Sequence, residues 1–359
     1  MDALEHARAE IDEVDAQLAA LFERRMAAVL QVAEYKRAHG LPIFDAAREA
    51  AVLEKAAARI HAPALRPYYK DHVQNMMDVA KQYEALILGQ NRAAYQGVEG
   101  AFAHIALRAL FPHAEAVSCP TWDEVFAAVE RGDAAHGVVP FENSHAGDVS
   151  AVLDLCYNHP DLWVVDVYDL PISQNLLVLP GTQLAEIRSV YSHQQAIAQS
   201  ETFLKQFHLP ATAMLNTAMA AKMVAEKGDR HAAAISSHPC AALYGLTCLN
   251  DSIQDSDNNY TRFICITKDP VIYAGANRIS LIIAFDNRPG ALYEILSKLA
   301  ALDINMTKLE SCPVAGSDFE FVFFLELDAS VQDPSVLAML EEMERSCAEF
   351  QFLGNYAEV

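Results

Sequence analysis

Three short polar motifs each stand at the edge of an apolar, strand-like run: Glu142-Asn143-Ser144, Ser192-His193 and Thr261-Arg262-Phe263. Between them they offer a carboxyl, an amide, hydroxyls and a guanidinium, groups that can hold a polar ligand and hand it a proton. They are spread over about 120 residues, as expected of loops that a rigid scaffold brings together in a cleft between two lobes. Singly, each has a plain structural reading. Asn143 and Ser144 are turn formers, Ser192 a helix N-cap with Gln199 further along the same face, and Thr261 a β-former. Taken as a set they make a candidate site, in which Arg262 is the natural carboxylate anchor.

A second set lies near the N-terminus. Ile11, Leu18, Phe22 and Val29 fall within about 20° of one direction on a helix, and Arg25 and Lys36 within about 40° of it. Cations in an apolar seam call for an anion, either an internal carboxylate or a bound ligand. Asp45, Arg48 and Glu49 add a cation between two carboxyls on a second helix face. Arg8 precedes Arg25 by about 25 Å along one helix, too far for one small ligand to touch both from the same helix. If both serve one site, Arg8 comes from a second chain.

The elements that must position these groups fall into three segments. Residues 1–90 read as helices, with apolar residues at helical spacing, a break at Gly40-Leu41-Pro42, Asp45 as a cap, and a third helix from Tyr68 to Leu88. Residues 93–269 alternate short apolar runs with amphipathic helices, an α/β pattern, with Thr121-x-x-Glu124 and Ser192-x-x-Gln195 as capping boxes. Residues 277–359 read strand, helix, strand, strand, helix, strand, the ferredoxin-like order.

Composition limits the partners. The chain has 359 residues and a net charge of −22, which argues against nucleic acid and an anionic membrane surface. Residues 1–90 hold 11 of the 26 basic side chains, the local cluster that an acidic protein needs to bind an anion. No apolar run is long enough to span a bilayer, and MDALEHARAE has no secretory signal. Seven cysteines without a C-x-x-C indicate neither a disulfide framework nor a zinc site and fit the cytoplasm. Gly97-Val98-Glu99-Gly100 reads as a tight turn, with anion binding the weaker alternative. The absence of GxGxxG with a downstream acid leaves a dinucleotide unsupported.

With these residues laid out, residues 1–90 resemble the all-helical chorismate mutase domain, through R…ID..D..L..L….R, then K, then P..D..RE. The resemblance implies an intertwined dimer. In it Arg8, Arg25, Lys36 and Arg48 hold the carboxylates and ether oxygen of chorismate, and Asp45 and Glu49 hold its hydroxyl. The reaction is a [3,3] rearrangement that needs no nucleophile, only compression of the substrate and stabilised charge on the breaking ether. Where that family commonly has Ser and Gln on the third helix, this chain has Ala80 and Glu84. An amide donates at any pH, a carboxyl only when protonated. Glu84 is therefore expected to weaken the mutase near neutral pH unless it keeps its proton; a solvent-facing Glu84 is the alternative.

Residues 93–268 look like prephenate dehydratase, through GVEGAF, VPFENS, VYSH…..Q and NYTRF. Carried over on those motifs are Glu142, Asn143, Ser192, Gln199, Thr261 and Arg262, with Thr217 of Asn216-Thr217-Ala218 a weaker candidate. Prephenate loses its ring hydroxyl and a carboxylate together, giving phenylpyruvate, water and carbon dioxide. Aromatisation drives this, so no metal or organic cofactor is implied. The resemblance implies Thr261 as proton donor. A threonine hydroxyl is a poor acid and needs a polarising neighbour; Glu142 is the alternative acid if burial keeps it protonated. Ala103 and His145 depart from the family pattern away from these residues.

Asn287-Arg288-Pro289-Gly290-Ala291-Leu292, then Asn305 and Glu310-Ser311-Cys312-Pro313, resemble an ACT regulatory domain, which in dehydratases binds phenylalanine at a subunit interface. Gly290, Ala291, Leu292, Asn305, Glu310 and Ser311 are the implied effector residues. Cys312 stands where that motif has Arg, a change expected to weaken feedback if the arginine contributes to closure. The expectation is a multidomain homo-oligomer, dimer or tetramer: an all-α mutase domain (1–90), a two-lobed α/β dehydratase domain (93–269) and an α+β ferredoxin-like ACT domain (277–359). An enzyme preferring arogenate and a non-catalytic ligand sensor remain as alternatives.

Overall fold

The computed structural model describes residues 3–39, 46–87, 91–144, 147–256, 258–273, 275–285, 288–313 and 321–358. The chain divides into two compact units, residues 1–91 and 92–359.

The first unit is helical: α1 (Ala3–His39), α2 (Ala46–Arg59) and α3 (Arg66–Ile87), with a single 3-10 turn at Pro63–Leu65. The 37 residues of α1 make a rod about 55 Å long. Its interior is small. Ala56, Val73 and Met77 are buried between α2 and α3, with Val52, Leu53, Tyr69 and Met76 packed around them. On α1, Leu4, Ile11, Val14, Leu18, Leu21 and Phe22 are all exposed. Asp45 and the Gly40-Leu41-Pro42 break lie outside the described residues.

The second unit begins with a lobe built from β1 (Arg92–Gln96), α4 (Phe102–Leu110), β2 (Glu115–Cys119), α5 (Trp122–Arg131), β3 (His136–Asn143), the short β4 (Gly147–Asp148), α6 (Ser150–Asn158) and β5 (Trp163–Pro171). The chain then enters a second lobe: β6 (Asn175–Val178), β7 (Ser189–His193), α7 (Gln194–Gln199), α8 (Glu201–Gln206), β8 (Ala211–Met214), α9 (Thr217–Lys227), β9 (Ala232–Ser236), α10 (Pro239–Tyr244) and β10 (Thr247–Asn250). It returns through β11 (Tyr260–Thr267), which enters the first sheet between β3 and β5. The first sheet runs β2-β1-β3-β11-β5, the second β10-β6-β9-β7-β8. Because β1, β2 and β3 are parallel, as are β7, β8 and β9, the loops at their carboxyl ends are where a ligand crevice forms in such folds. Thr121 caps α5 by accepting from Glu124 N at 3.2 Å, as its sequence pattern predicts. The cap of α7 is His193, not Ser192: His193 Nδ1 accepts from Gln195 N at 3.3 Å, and Ser192 is still inside β7.

The last region is β12 (Arg278–Ala284), α11 (Ala291–Ala301), β13 (Met306–Pro313), β14 (Phe321–Asp328), α12 (Pro334–Ser346) and β15 (Glu349–Tyr356), with strand order β13-β14-β12-β15. Period-two alternation sorts its side chains. Ile279, Leu281, Ile283, Leu325 and Leu327 pack under the two helices. Ile282, Val322, Phe324, Leu353 and Tyr356 join a core shared with Phe126, Val139, Phe141 and Ile264 of the first lobe. At Gly354 a Cβ would stand 1.9 Å from Val164 O, so only glycine lets β15 lie this close to β5.

Candidate functional site

Residues from both lobes meet around the end of β3 and the start of β11. Thr261 pairs with Asn143 across the ladder. Asn143 Nδ2 donates to Thr261 Oγ1 at 2.9 Å, to Asn259 Oδ1 at 3.1 Å and to Tyr260 O at 3.0 Å. Its Oδ1 accepts from Gln195 Nε2 of the second lobe at 3.2 Å. Gln199 Oε1 accepts from Asn259 Nδ2 at 3.1 Å and Gln174 Nε2 at 3.2 Å. An amide network thus ties Asn143, Thr261 and Gln199 together. Beside it is a cavity of about 330 Å³ lined by Gln195, Gln199, Gln254, Asp255 and Asn259. Because Thr261 Oγ1 accepts an amide hydrogen, electron density is drawn from the hydroxyl and its own proton is left for another partner.

Two further candidates are placed differently. Ser192 is fully buried and its Oγ donates to Ile235 O at 2.6 Å, bracing β7 against β9. Thr217 is buried at the first turn of α9, whose cap is Asn216: Asn216 Oδ1 accepts from Met219 N at 2.7 Å. Both glycine amides of the Gly97–Gly100 turn are taken up by the protein, Gly97 N on Cys119 O at 2.9 Å and Gly100 N on His104 Nδ1 at 3.2 Å. The turn also joins the lobes. Ser237 Oγ donates to Gly100 O at 3.0 Å, and a Cβ on Gly100 would meet Cys240 Sγ at 2.7 Å. Burial pushes the imidazoles of His104 and His193 below the usual histidine range. Ala103 is buried in the first lobe's core, and His145 lies outside the described residues.

Glu142 and Arg262 are not brought to this network. They occupy the next rung of the ladder, opposite one another, and alternation turns them to the other face. Glu142 Oε2 takes Lys308 Nζ of β13 at 2.8 Å. Arg262 makes a bidentate pair with Asp169, both bonds 2.9 Å, contacts Glu358, and stands 3.7 Å from Glu326. Hydrogen bonding to Asp169 raises its already high pKa. The guanidinium expected to anchor a ligand carboxylate is therefore matched by protein carboxylates, because strand periodicity separates it from its neighbour Thr261.

In the helical unit, Lys36 Nζ of α1 pairs with Glu84 Oε1 of α3 at 3.1 Å, and Glu84 is 5% exposed. Its alternative as a solvent-facing residue is thereby corrected: it packs beside buried Ala80, one turn earlier on α3. Glu49 Oε1 pairs with Lys81 Nζ at 3.0 Å. Arg25 NH1 donates to Met76 O at 3.2 Å. Arg8 and Arg48 are exposed, and Asp45 lies outside the described residues.

In the last region, Gly290 caps α11 in the left-handed conformation (φ 89°), followed by buried Ala291 and half-buried Leu292. Asn305 Nδ2 donates to Asp328 Oδ2 at 2.9 Å. Glu310 and Ser311 are exposed on β13, an edge strand, and Cys312 packs against the shared core. Asn287 lies outside the described residues.

Sequence reasoning missed Gln195, Asn259 and Gln174 as members of the network. Gln195 stands one helical turn before Gln199, and Asn259 directly precedes Tyr260-Thr261, so spacing could have raised the first two. Gln174 carries no such signal.

The folds and the amide-lined cleft define a helical unit followed by a two-lobed α/β enzyme. The chorismate mutase type II family matches residues 7–85 and the prephenate dehydratase family residues 93–271. A bifunctional chorismate mutase/prephenate dehydratase of Aquifex aeolicus (strain VF5) is 30% identical over 99% of this chain and 98% of its own length. Arogenate dehydratase/prephenate dehydratase 2 of Arabidopsis thaliana is 35% identical over 74% of this chain and 72% of its own. The solved prephenate dehydratase from Arthrobacter aurescens in complex with L-Phe is 28% identical, with a TM-score of 0.69 over 74% of this chain and 90% of that one. The chain belongs to the bifunctional chorismate mutase/prephenate dehydratase family. It is an enzyme with a mutase domain and a dehydratase domain, and no helix among its described residues is long and apolar enough to cross a membrane.

Proposed function

We propose that the chain converts chorismate to prephenate in residues 1–90 and prephenate to phenylpyruvate in residues 93–269, and that residues 277–359 are an ACT domain through which phenylalanine restrains its own synthesis. The observation that carries the dehydratase assignment is the Asn143-to-Thr261 hydrogen bond of 2.9 Å on the cleft face. The Asn143 amide supplies the polarising neighbour that a threonine donor needs. Thr261 Oγ–H passes its proton to the departing ring hydroxyl, which leaves as water. The electron pair of the bond to the departing carbon dioxide enters the ring, which becomes aromatic. The Thr261 oxygen recovers a proton from solvent through the neighbouring amides and hydroxyls. Gln195, Gln199 and the first turn of α9 hold the substrate's carboxylates as neutral hydrogen-bond and dipole partners.

The mutase half is a dimer in this proposal, with Arg8 given across to the partner's site beside Arg25, Lys36, Asp45, Arg48 and Glu49. Its support is the apolar stripe along α1, too large and too regular to stand in water. Feedback rests on the strand-helix-strand-strand-helix-strand order, on the Gly290 turn and exposed edge strand β13, and on the phenylalanine named with the Arthrobacter aurescens structure. The seven cysteines are free, in keeping with the cytoplasm. Purified protein given chorismate alone, with prephenate and phenylpyruvate followed separately, tests all of this. Phenylpyruvate should form, and added phenylalanine should slow it. Prephenate accumulating unchanged would instead mark an inactive dehydratase or one that takes the aminated arogenate.

A further inference from the structure

The face of β3 and β11 turned away from the cleft carries two charged side chains, and both reach the C-terminal region, Arg262 in addition to its bidentate pair with Asp169 of β5. Glu142 Oε2 meets Lys308 Nζ at 2.8 Å. Arg262 reaches Glu326 at 3.7 Å and also Glu358. Neither acceptor nor donor on the far side is a loose surface group. Glu326 is 3% exposed and accepts from Tyr356 Oη at 3.1 Å; Tyr356 in turn bonds Ser280 Oγ at 2.7 Å. Lys308 is half-buried, 5.4 Å from the centre of the Phe141 ring and 5.9 Å from that of Phe324.

The side chains of Lys308 and Glu326 are 13% and 3% exposed, whereas that of Glu142 is 38% exposed; charges as enclosed as the first two are tolerated only while paired, and removing their partner is costly. The C-terminal sheet therefore cannot slide on the first lobe without breaking a pair. The Glu142–Arg262 rung is adjacent to the Asn143–Thr261 rung, and the register shifts immediately beyond it, between Arg262 and Phe263. Such a shift re-aims the side chains beside it, so something must hold the rung from outside.

We propose that Lys308 is a positioning residue for dehydration: by gripping Glu142 from β13 it fixes the rung whose neighbour carries Thr261. This rests on the dehydratase assignment above and gives Glu142 and Arg262 a task other than touching substrate. It also supplies a route for control, because Glu310 and Ser311 follow Lys308 on the same strand. An effector that shifts β13 pulls directly on Glu142, the chain neighbour of Asn143.

The test is Lys308→Met beside Lys308→Arg in the full-length protein, with dehydratase kcat and KM, mutase rate and thermal unfolding all measured. Lys308→Met should lower dehydratase kcat about tenfold, since small misplacements of a reacting group cost this much or more. KM should change less than about twofold and the mutase rate not at all. Lys308→Arg should restore most of the kcat, because a guanidinium still pairs with Glu142. In a double-mutant cycle, adding Glu142→Gln to Lys308→Met should cost little more than either change alone. An unchanged kcat in Lys308→Met, a loss that arginine does not restore, or additive losses in the cycle would overturn the proposal. Failure of the wild-type protein to turn over prephenate would instead sink the dehydratase assignment itself.

Discussion

The long helix α1 leaves its apolar stripe in the open, whereas the strands of residues 92–358 close theirs into shared cores. Leu18 is 49% exposed and Ile11 58%, while Phe263, Ile264, Cys265 and Ile266 on β11 are each 2% or less. The difference shows where each unit finds its stability. A long helix gains little from hydrogen bonds alone and needs a packed face; α1 meets α3 through its C-terminal half, at Arg25 and Lys36, with Ala33 buried there, and its apolar stripe from Leu4 to Phe22 stays exposed. The α/β body is self-sufficient, and its C-terminal sheet is fused to it by a common core rather than tethered beside it. One unit depends on a second copy in the proposal above, and the other on its own C-terminal sheet.

If the two units are chemically independent, a change at one site must not reach the other. Thr261→Val removes the hydroxyl and keeps the shape. Dehydratase kcat should fall by about 10²–10⁴, the usual span for loss of a general acid, with the mutase rate from chorismate to prephenate unaltered. A mutase loss of similar size in the same preparation would break the comparison.

Stability gives the next test. Gly354→Ala drives a methyl into Val164 O, and the strands must part to admit it. The cost should be about 3–4 kcal/mol, in the range of severe core changes. Both tryptophans, Trp122 and Trp163, lie in the first lobe. Urea unfolding followed by their fluorescence therefore reports the body alone, and the helices should show no loss when dimerisation and mutase rate are measured.

Much of this organisation was legible beforehand. The six C-terminal elements fall within a few residues of their apolar runs, because alternation and helical spacing there obey one rule each. The cleft was less legible. The motifs locate β3, β7 and β11, but adjacency in sequence is not adjacency in space. In a strand it means the reverse: Thr261 and Arg262, like Asn143 and Glu142, face opposite ways. The N-cap of α7 falls one residue beyond the Ser192 that the sequence pattern points to, because both Ser192 and His193 can accept from the helix, and only the hydroxyl's bond to Ile235 O decides between them. The amide network needs Gln195 and Gln174, which come from separated stretches of the second lobe.

Acid should also separate the units. His136, at the start of β3 and stacked on Phe111 with ring centroids 4.5 Å apart, has its pKa pushed down to about 4 by burial. In the unfolded chain it returns to about 6.5. Between these values the unfolded state binds more protons, so stability rises with pH through this window and is lost on acidification. The full loss by pH 4 is about 3 kcal/mol at 1.36 kcal/mol per pH unit. In His136→Asn, tryptophan-detected unfolding should be correspondingly less steep between pH 6.5 and 4; an unchanged slope would mean that other groups govern acid unfolding.

The smallest expected effect is the most informative about the helical unit. Glu84 is enclosed and bonded to Lys36 at 3.1 Å, so it has two possible tasks. As a carboxylate it can hold Lys36 in place; as an acid it can donate to the ether oxygen of chorismate, the task that the chorismate mutase resemblance gives to an amide. The tasks require opposite charge states and cannot be served at once. Glu84→Gln keeps the shape, donates at any pH and releases Lys36 to the substrate. If donation limits the reaction, mutase kcat/KM should rise several-fold. If holding Lys36 is the real task, kcat/KM should fall by a similar factor at every pH, because the substrate's carboxylate must then order the lysine unaided. The rise is the outcome expected from the sequence, where Glu84 stands in place of an amide. A fall would make Glu84 the counterpart in the helical unit of what Glu142 is to Lys308, a carboxylate whose work is to aim a lysine.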